Sequence, residues 1–145
     1  MSHGKRVCRE IVSEPRLTHV FPEARDLAEA ESIEAGMPAA RRSALKELAE
    51  AAVADSNLFH FSGTIEEAIA GLRRIRGVGE WTAQYIALRA LRETDAFPSA
   101  DVGLLRGAEF VDGARHSAPD LLRRSESWRA YAAQHLWAAG APSNR

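Results

Sequence analysis

The sequence predicts an all-α fold, and three observations carry that reading. No segment alternates apolar and polar residues over the roughly four to eight positions of a half-buried strand. Apolar residues recur instead at three- and four-residue spacings. Proline, glycine and serine punctuate the chain at intervals suited to short helices joined by turns. A chain of 145 residues has room for one domain with its own core, so 1–145 is expected to be a single helical domain.

The elements follow in order. Pro22 fits the first turn of a helix through Glu23 to Ala30. Gly36-Met37-Pro38 breaks the chain, and Pro38 is tolerated where the next helix starts. There Leu45, Leu48, Ala49, Ala52 and Val53 form an apolar stripe opposite Arg41, Arg42, Lys46 and Glu50. Asp55-Ser56-Asn57 ends it. Thr64 followed by Glu67 is a capping-box spacing, and the helix behind it places Ile65, Ala68, Ile69 and Leu72 on one side. A Gly77-Val78-Gly79 turn leads into a helix from about Glu80 to Leu91, with Ala83, Ala87 and Ala90 as a small-residue face. Thr94 to Ser99 is a loop, and a short helix opens at about Asp101. Gly113 to Pro119 is a connection, and the last helix runs from about Glu126 to Ala139.

Composition narrows the function classes. Lysine and arginine number 19 against 20 acidic residues, a net charge of -1. No global basic field announces nucleic acid, so any DNA contact must come from a local cluster. Basic side chains are nearly all arginine, with Lys5 and Lys46 the lysines. Cys8, the single cysteine, excludes an intrachain disulfide framework and a four-cysteine iron–sulfur cluster, and fits a reducing compartment. No stretch approaches the roughly 18 apolar residues of a membrane span, and the N-terminal residues Met1 to Arg6 lack an apolar signal core. The expectation is a soluble, cytoplasmic protein.

The most informative stretch is Leu72-Arg73-Arg74-Ile75-Arg76-Gly77-Val78-Gly79-Glu80-Trp81-Thr82-Ala83. Two helices meet through a turn whose glycines permit positive φ and let an anion approach the main chain. Amides opening the second helix then meet a phosphate at the positive end of the helix dipole. Val78 is the apolar pin between the helices. The same glycines also suit a plain helical hairpin in which they only cap the first helix. Asp101, after Phe97-Pro98-Ser99-Ala100, taken alone reads as a helix cap. Trp81 and Tyr85 share a helix face at i, i+4. Trp128, Tyr131 and His135 form one stripe on the last helix, with Trp137 roughly opposite Trp128. Aromatics at such spacing suit a core as well as a ligand pocket. His19, His60, His116 and His135 lack metal-ligand spacing and read as structural.

Residues 72 to 101 resemble the helix-hairpin-helix and Gly/Pro-loop-Asp signature of DNA glycosylases. Within that superfamily the chain is most similar to the C-terminal part of the bacterial 3-methyladenine DNA glycosylase II family, most strongly over 18–142, with the hairpin at 64–91. The match includes Gly36-Met37-Pro38 with Arg41 and Arg42, Trp128-Arg129 with Tyr131, and His135-Leu136-Trp137.

The resemblance implies hydrolysis of the N-glycosidic bond of alkylated bases in damaged double-stranded DNA, with Asp101 as the catalytic carboxylate. That chemistry asks little else of the protein, since an anion stabilises the cationic sugar and orients water. It further implies that Trp81, Tyr85 and Trp137 wall the pocket for a flipped cationic base. Gly77, Val78, Gly79 and Thr82 would bind phosphate, and the backbone carbonyls of Arg73, Ile75 and Gly77 would hold a structural Na+ or K+. Members that also cut the backbone carry a lysine where this chain has Trp81, so the implied enzyme is monofunctional. By the same resemblance, the chain is expected to lack the family's usual N-terminal helices, with their wedge residue, and its β-rich domain. Arg9-Glu10-Ile11-Val12-Ser13 does not replace the wedge segment. Loss of the wedge should impair base flipping, and the face left by those helices should favour self-association or a partner chain. A truncated, non-catalytic DNA-binding module or a partner-binding subunit is the alternative.

Overall fold

In the computed structural model the described residues are 19–31, 33, 36–60 and 63–141. Cys8, Lys5, the segment Arg9 to Ser13 and the outermost matching residues Thr18 and Pro142 lie outside them. Seven helices are the regular elements among the described residues, beside an isolated bridge at His19. They are α1 (Ala24–Glu29), α2 (Ala39–Ala54), α3 (Ile65–Arg73), α4 (Glu80–Arg89), α5 (Val102–Asp112), α6 (Ala118–Arg124) and α7 (Arg129–Gly140). Among them no helix is long and apolar enough to cross a membrane. Contacts gather the chain into two compact units, one of Met1–His60 with Arg74–Val78 and one of Phe61–Arg73 with Gly79–Arg145.

In the first unit α1 packs on α2. The Glu23 amide donates to Asp26 at 3.0 Å and starts α1, while Leu27 is its buried residue. Lys46 closes the pair by donating to the Ala30 carbonyl at 2.9 Å. Pro38 caps α2, where its missing N–H leaves no bond unmade. The expected α2 stripe holds at Ala49, which is buried, and at half-buried Leu45, Leu48 and Ala52; Val53 is exposed. Residues 74–78 belong to this unit. The Val78 amide donates to the Ile75 carbonyl at 3.0 Å and its side chain is buried. Gly77 has φ +86, and a Cβ there would lie 2.5 Å from the Cβ of Ala44. Both the left-handed backbone and the closeness of α2 therefore require glycine.

In the second unit the capping box forms as its spacing predicts. The Thr64 amide donates to Glu67 at 3.0 Å and the Glu67 amide to the Thr64 hydroxyl at 3.3 Å. Ala68, Ile69 and Leu72 of α3 are buried, and Arg73 pairs with Glu80 of α4 at 3.0 Å. The small-residue face of α4 is Ala83 and Ala87, both fully buried; Ala90 follows the helix and is exposed.

Two expectations are corrected at the C-terminal end. The connection placed at Gly113 to Pro119 ends in a helix of its own, α6, whose Ser117 cap accepts the Asp120 amide at 3.3 Å. The last helix starts at Arg129 rather than Glu126, because Ser127 takes a left-handed φ of 72 and interrupts the chain. Trp128 is thus the residue before α7 and not part of its stripe.

The most extensive helix contact among the described residues is between α5 and α7. A Cβ at Gly107 would lie 2.0 Å from the Leu136 carbonyl oxygen, and one at Gly140 would lie 3.1 Å from the Gly107 main chain. The two backbones touch where side chains are absent.

Candidate active site

Asp101 sits where the loop 94–101 becomes α5, and the sequence around it explains how it is held. Its Oδ1 accepts the Leu104 amide at 3.0 Å, an N-cap bond of the ordinary kind. The same oxygen accepts the Trp137 indole N–H at 2.9 Å, and Oδ2 accepts the Trp81 indole N–H at 2.6 Å. Asp101 is therefore a helix cap and more. Burial pushes its carboxyl upward, but the bonds from Trp137, Trp81 and Leu104, with a weaker pull from the Gly103 amide, outweigh it. The group lies below the ordinary value of 3.8.

The aromatic residues form one cluster around this carboxylate. Trp81 and Tyr85 stack with centroids 5.2 Å apart and planes 11° from parallel. Tyr85 meets Trp137 edge-on at 5.9 Å. Trp81 is 43% exposed and Tyr85 37%, so the stack presents a wettable aromatic surface and is not core. Trp128 pairs instead with Tyr131, at 5.3 Å, and both are exposed.

Three further features were not read from the sequence. Gly103 stands between Asp101 and Trp137, where a Cβ would lie 2.8 Å from Oδ1 and 3.1 Å from the indole Cδ1. The spacing Gly103-x-x-x-Gly107 on α5 was the available signal, since small residues four apart let helices approach closely. Gln84 accepts the buried Phe97 amide at 3.0 Å and holds the loop before Asp101 to α4. Asp95 pairs with Arg129, and the Ala130 amide donates to Thr94 at 2.9 Å, which ties the same loop to α7. A lone glutamine and a lone Asp–Arg pair give no spacing signal.

The hairpin residues fall in both units, Ile75, Gly77 and Val78 in the first and Arg73, Gly79 and Thr82 in the second. One expectation is corrected there: only Gly77 has positive φ. Gly79 caps α4 with φ -85 and ψ 177, a conformation open to any residue, and a Cβ on it would meet none of the described residues within 4 Å. The carbonyl of Ile75, bonded once to Val78, keeps a second lone pair. Among the described residues no group of three His, Cys, Asp or Glu side chains is placed to hold a metal.

A cavity of about 260 Å³ lies elsewhere, lined by residues including Ala108, Val111, Leu121 and Leu136. No predicted site residue lines it. Asp112, His116 and Arg124 stand at its polar side, with His116 Nε2 2.8 Å from Asp112. The carboxylate with aromatic faces is the better candidate for chemistry, because the cavity joins no reactive group to a surface for a planar ligand.

No protein-family model matches the chain. Individual relatives do. The chain is 38% identical over 124 residues to a probable bifunctional transcriptional activator/DNA repair enzyme AlkA of Mycobacterium tuberculosis, covering 83% of this chain and 25% of that protein. It is 34% identical over 102 residues to DNA-3-methyladenine glycosylase 2 of Escherichia coli, covering 70% and 36%. Its fold matches a 3-methyladenine DNA-glycosylase from Archaeoglobus fulgidus with a TM-score of 0.71 at 21% identity, over 93% of this chain and 48% of that one. The Schizosaccharomyces pombe 3-methyladenine DNA glycosylase, solved with abasic DNA, matches at 0.68 and 22% identity, over 92% and 69%. The chain thus spans about a quarter to a third of the curated relatives' length. In sequence it is homologous to a part of the DNA-3-methyladenine glycosylases, and its all-α fold is that of the helical DNA glycosylases.

Proposed function

We propose that the chain carries the chemistry of a monofunctional DNA glycosylase, hydrolysing the N-glycosidic bond of alkylated, 3-methyladenine-type bases in damaged double-stranded DNA. The observation that carries this reading is an Asp101 carboxyl held by the Trp81 and Trp137 indoles beside an exposed Trp81–Tyr85 stack. Breaking the bond builds positive charge on the sugar, and an anion close by lowers that barrier. Oδ2 has one partner among the described residues, so a lone pair stays open to draw a proton from an attacking water. Electron-rich faces of Trp81, Tyr85 and Trp137 would stack on a flipped base and favour a cationic one. A cationic base leaves readily, which removes the need for a second acid. Trp81 has no amine to form a Schiff base, so no strand cleavage is expected.

DNA would be held through its backbone. Amides around Gly77, Val78, Gly79 and Thr82 would bind phosphate at the start of α4. Gly79 supports this, since neither its backbone angles nor its neighbours require glycine, and an approaching ligand would. The carbonyls of Arg73, Ile75 and Gly77 would hold a structural Na+ or K+, for which main-chain oxygens are suitable hard donors. Phe110, Val111, Trp128 and Tyr131 are exposed and supply apolar surface for self-association or a partner chain. Sedimentation across a concentration series would read self-association as a rising mass.

The deciding measurement is base release from alkylated duplex DNA by the wild-type chain and by Asp101→Asn. Release by the wild type, falling by about a hundredfold or more in the variant, is expected. No release by either protein, with DNA binding retained, would leave a non-catalytic phosphate-binding module.

A further inference from the structure

Three hydrogen bonds converge on Asp101, and they differ in origin. The Leu104 amide bond is what any helix start requires. The two indole bonds are not, because water could satisfy a half-exposed Trp81. They come from residues 20 and 36 positions away, on α4 and α7. Gly103 leaves open the space in which Trp137 reaches Oδ1.

The donors are also neutral. Among the described residues no ion pair reaches Asp101. Glu80 on α4 is taken by Arg73, and Arg129 on α7 by Asp95. Arg89, Arg106 and His135 are exposed on α4, α5 and α7 and make no ion pair with it. Tyr85 is the other ionisable side chain of the cluster and offers ring contacts to both tryptophans. A lysine or arginine here would hold the carboxylate as firmly but cancel its field.

We infer that Trp81 and Trp137 are positioning residues whose indole N–H groups fix the Asp101 carboxylate through neutral hydrogen bonds, leaving its full charge for a cation. The direction of the Asp101 shift agrees, since these bonds overcome burial without help from a cation. The role is separate from stacking, for which only the ring faces matter. Its catalytic consequence rests on the glycosylase reading; the hydrogen bonding itself does not.

The test uses the whole chain. It has three tryptophans, so three indole N–H signals are resolved by nitrogen-15 NMR, and exposed Trp128 is the internal control. During an acid titration the Trp81 and Trp137 signals should move together with the Asp101 carboxyl carbon, while Trp128 stays. In Trp81→Phe and Trp137→Phe, which keep an aromatic ring, the Asp101 midpoint should rise toward the ordinary value. Base release by these variants should fall on the order of tenfold or more, in kcat rather than KM. If both indole signals ignore Asp101 ionisation, or folded Phe variants leave its midpoint unmoved, the inference is wrong. The wild-type titration decides even if a variant fails to fold. Indole signals that follow Asp101 in a chain releasing no base would sink the glycosylase reading and leave this one standing.

Discussion

Asp101 shows what a single residue contributes to pH behaviour. Its folded pKa is depressed, so the folded state prefers the ionised form more than the unfolded chain does. The resulting stability is present above the unfolded value of about 3.9 and is lost as pH falls through the lower folded value. Acid unfolding followed by circular dichroism should therefore show a slope below about pH 4 that Asp101→Asn reduces. Gln84→Ala belongs to the same scale. It would strip the acceptor from the buried Phe97 amide and should destabilise by about 1–3 kcal/mol in urea unfolding. Asp101 was legible in the sequence as a helix cap, and the Trp81–Tyr85 pair through i, i+4 spacing. The indole bonds were not, because no residue pattern says where a ring nitrogen points.

Among elements, the α5–α7 contact makes the firmest prediction. Gly107→Ala would drive a methyl group into the Leu136 carbonyl. Overpacking of this kind costs about 1–3 kcal/mol or more, read as a lowered Tm, although alanine favours an isolated helix over glycine. A substitution that stabilises the helix and destabilises the protein locates the fault in packing. Helix periodicity predicted α2, α3, α4 and α5 well, because each has a clear cap or an apolar stripe. It missed α6, whose seven residues bury only Leu121. The Ser117-to-Asp120 spacing with Pro119 was a start signal, obscured by reading Gly113 to Pro119 as one turn. The start of α7 was misplaced because a left-handed Ser127 has no mark in sequence.

For the whole molecule, a net charge of -1 means that the DNA affinity proposed for this chain has to come from a small local patch. A shallow dependence of binding on salt is expected, since the slope follows the number of phosphates neutralised. Gly79→Ala is the cleaner probe of the hairpin, because no described residue opposes the added methyl. It should keep the wild-type Tm and weaken duplex binding in fluorescence anisotropy. Unchanged affinity would remove the phosphate-approach reading of that glycine. The class of fold and the kind of relative were open to sequence reasoning throughout. The division of the hairpin residues between two compact units was not, since Gly77 is fixed by Ala44, a contact far from it in the chain.

The bare seam between α5 and α7 also bears on cooperativity. Gly107, interior to α5, weakens that helix as an isolated segment by about 1 kcal/mol, and α7 has Ala133 as its one fully buried residue. Neither helix is then expected to outlive its partner, and local opening should release both at once. Asp101 caps one and Trp137 lies on the other, so the site should assemble and vanish as a unit, without a half-built form. Native-state hydrogen exchange would show this as amides of both helices opening with one free energy and one denaturant dependence.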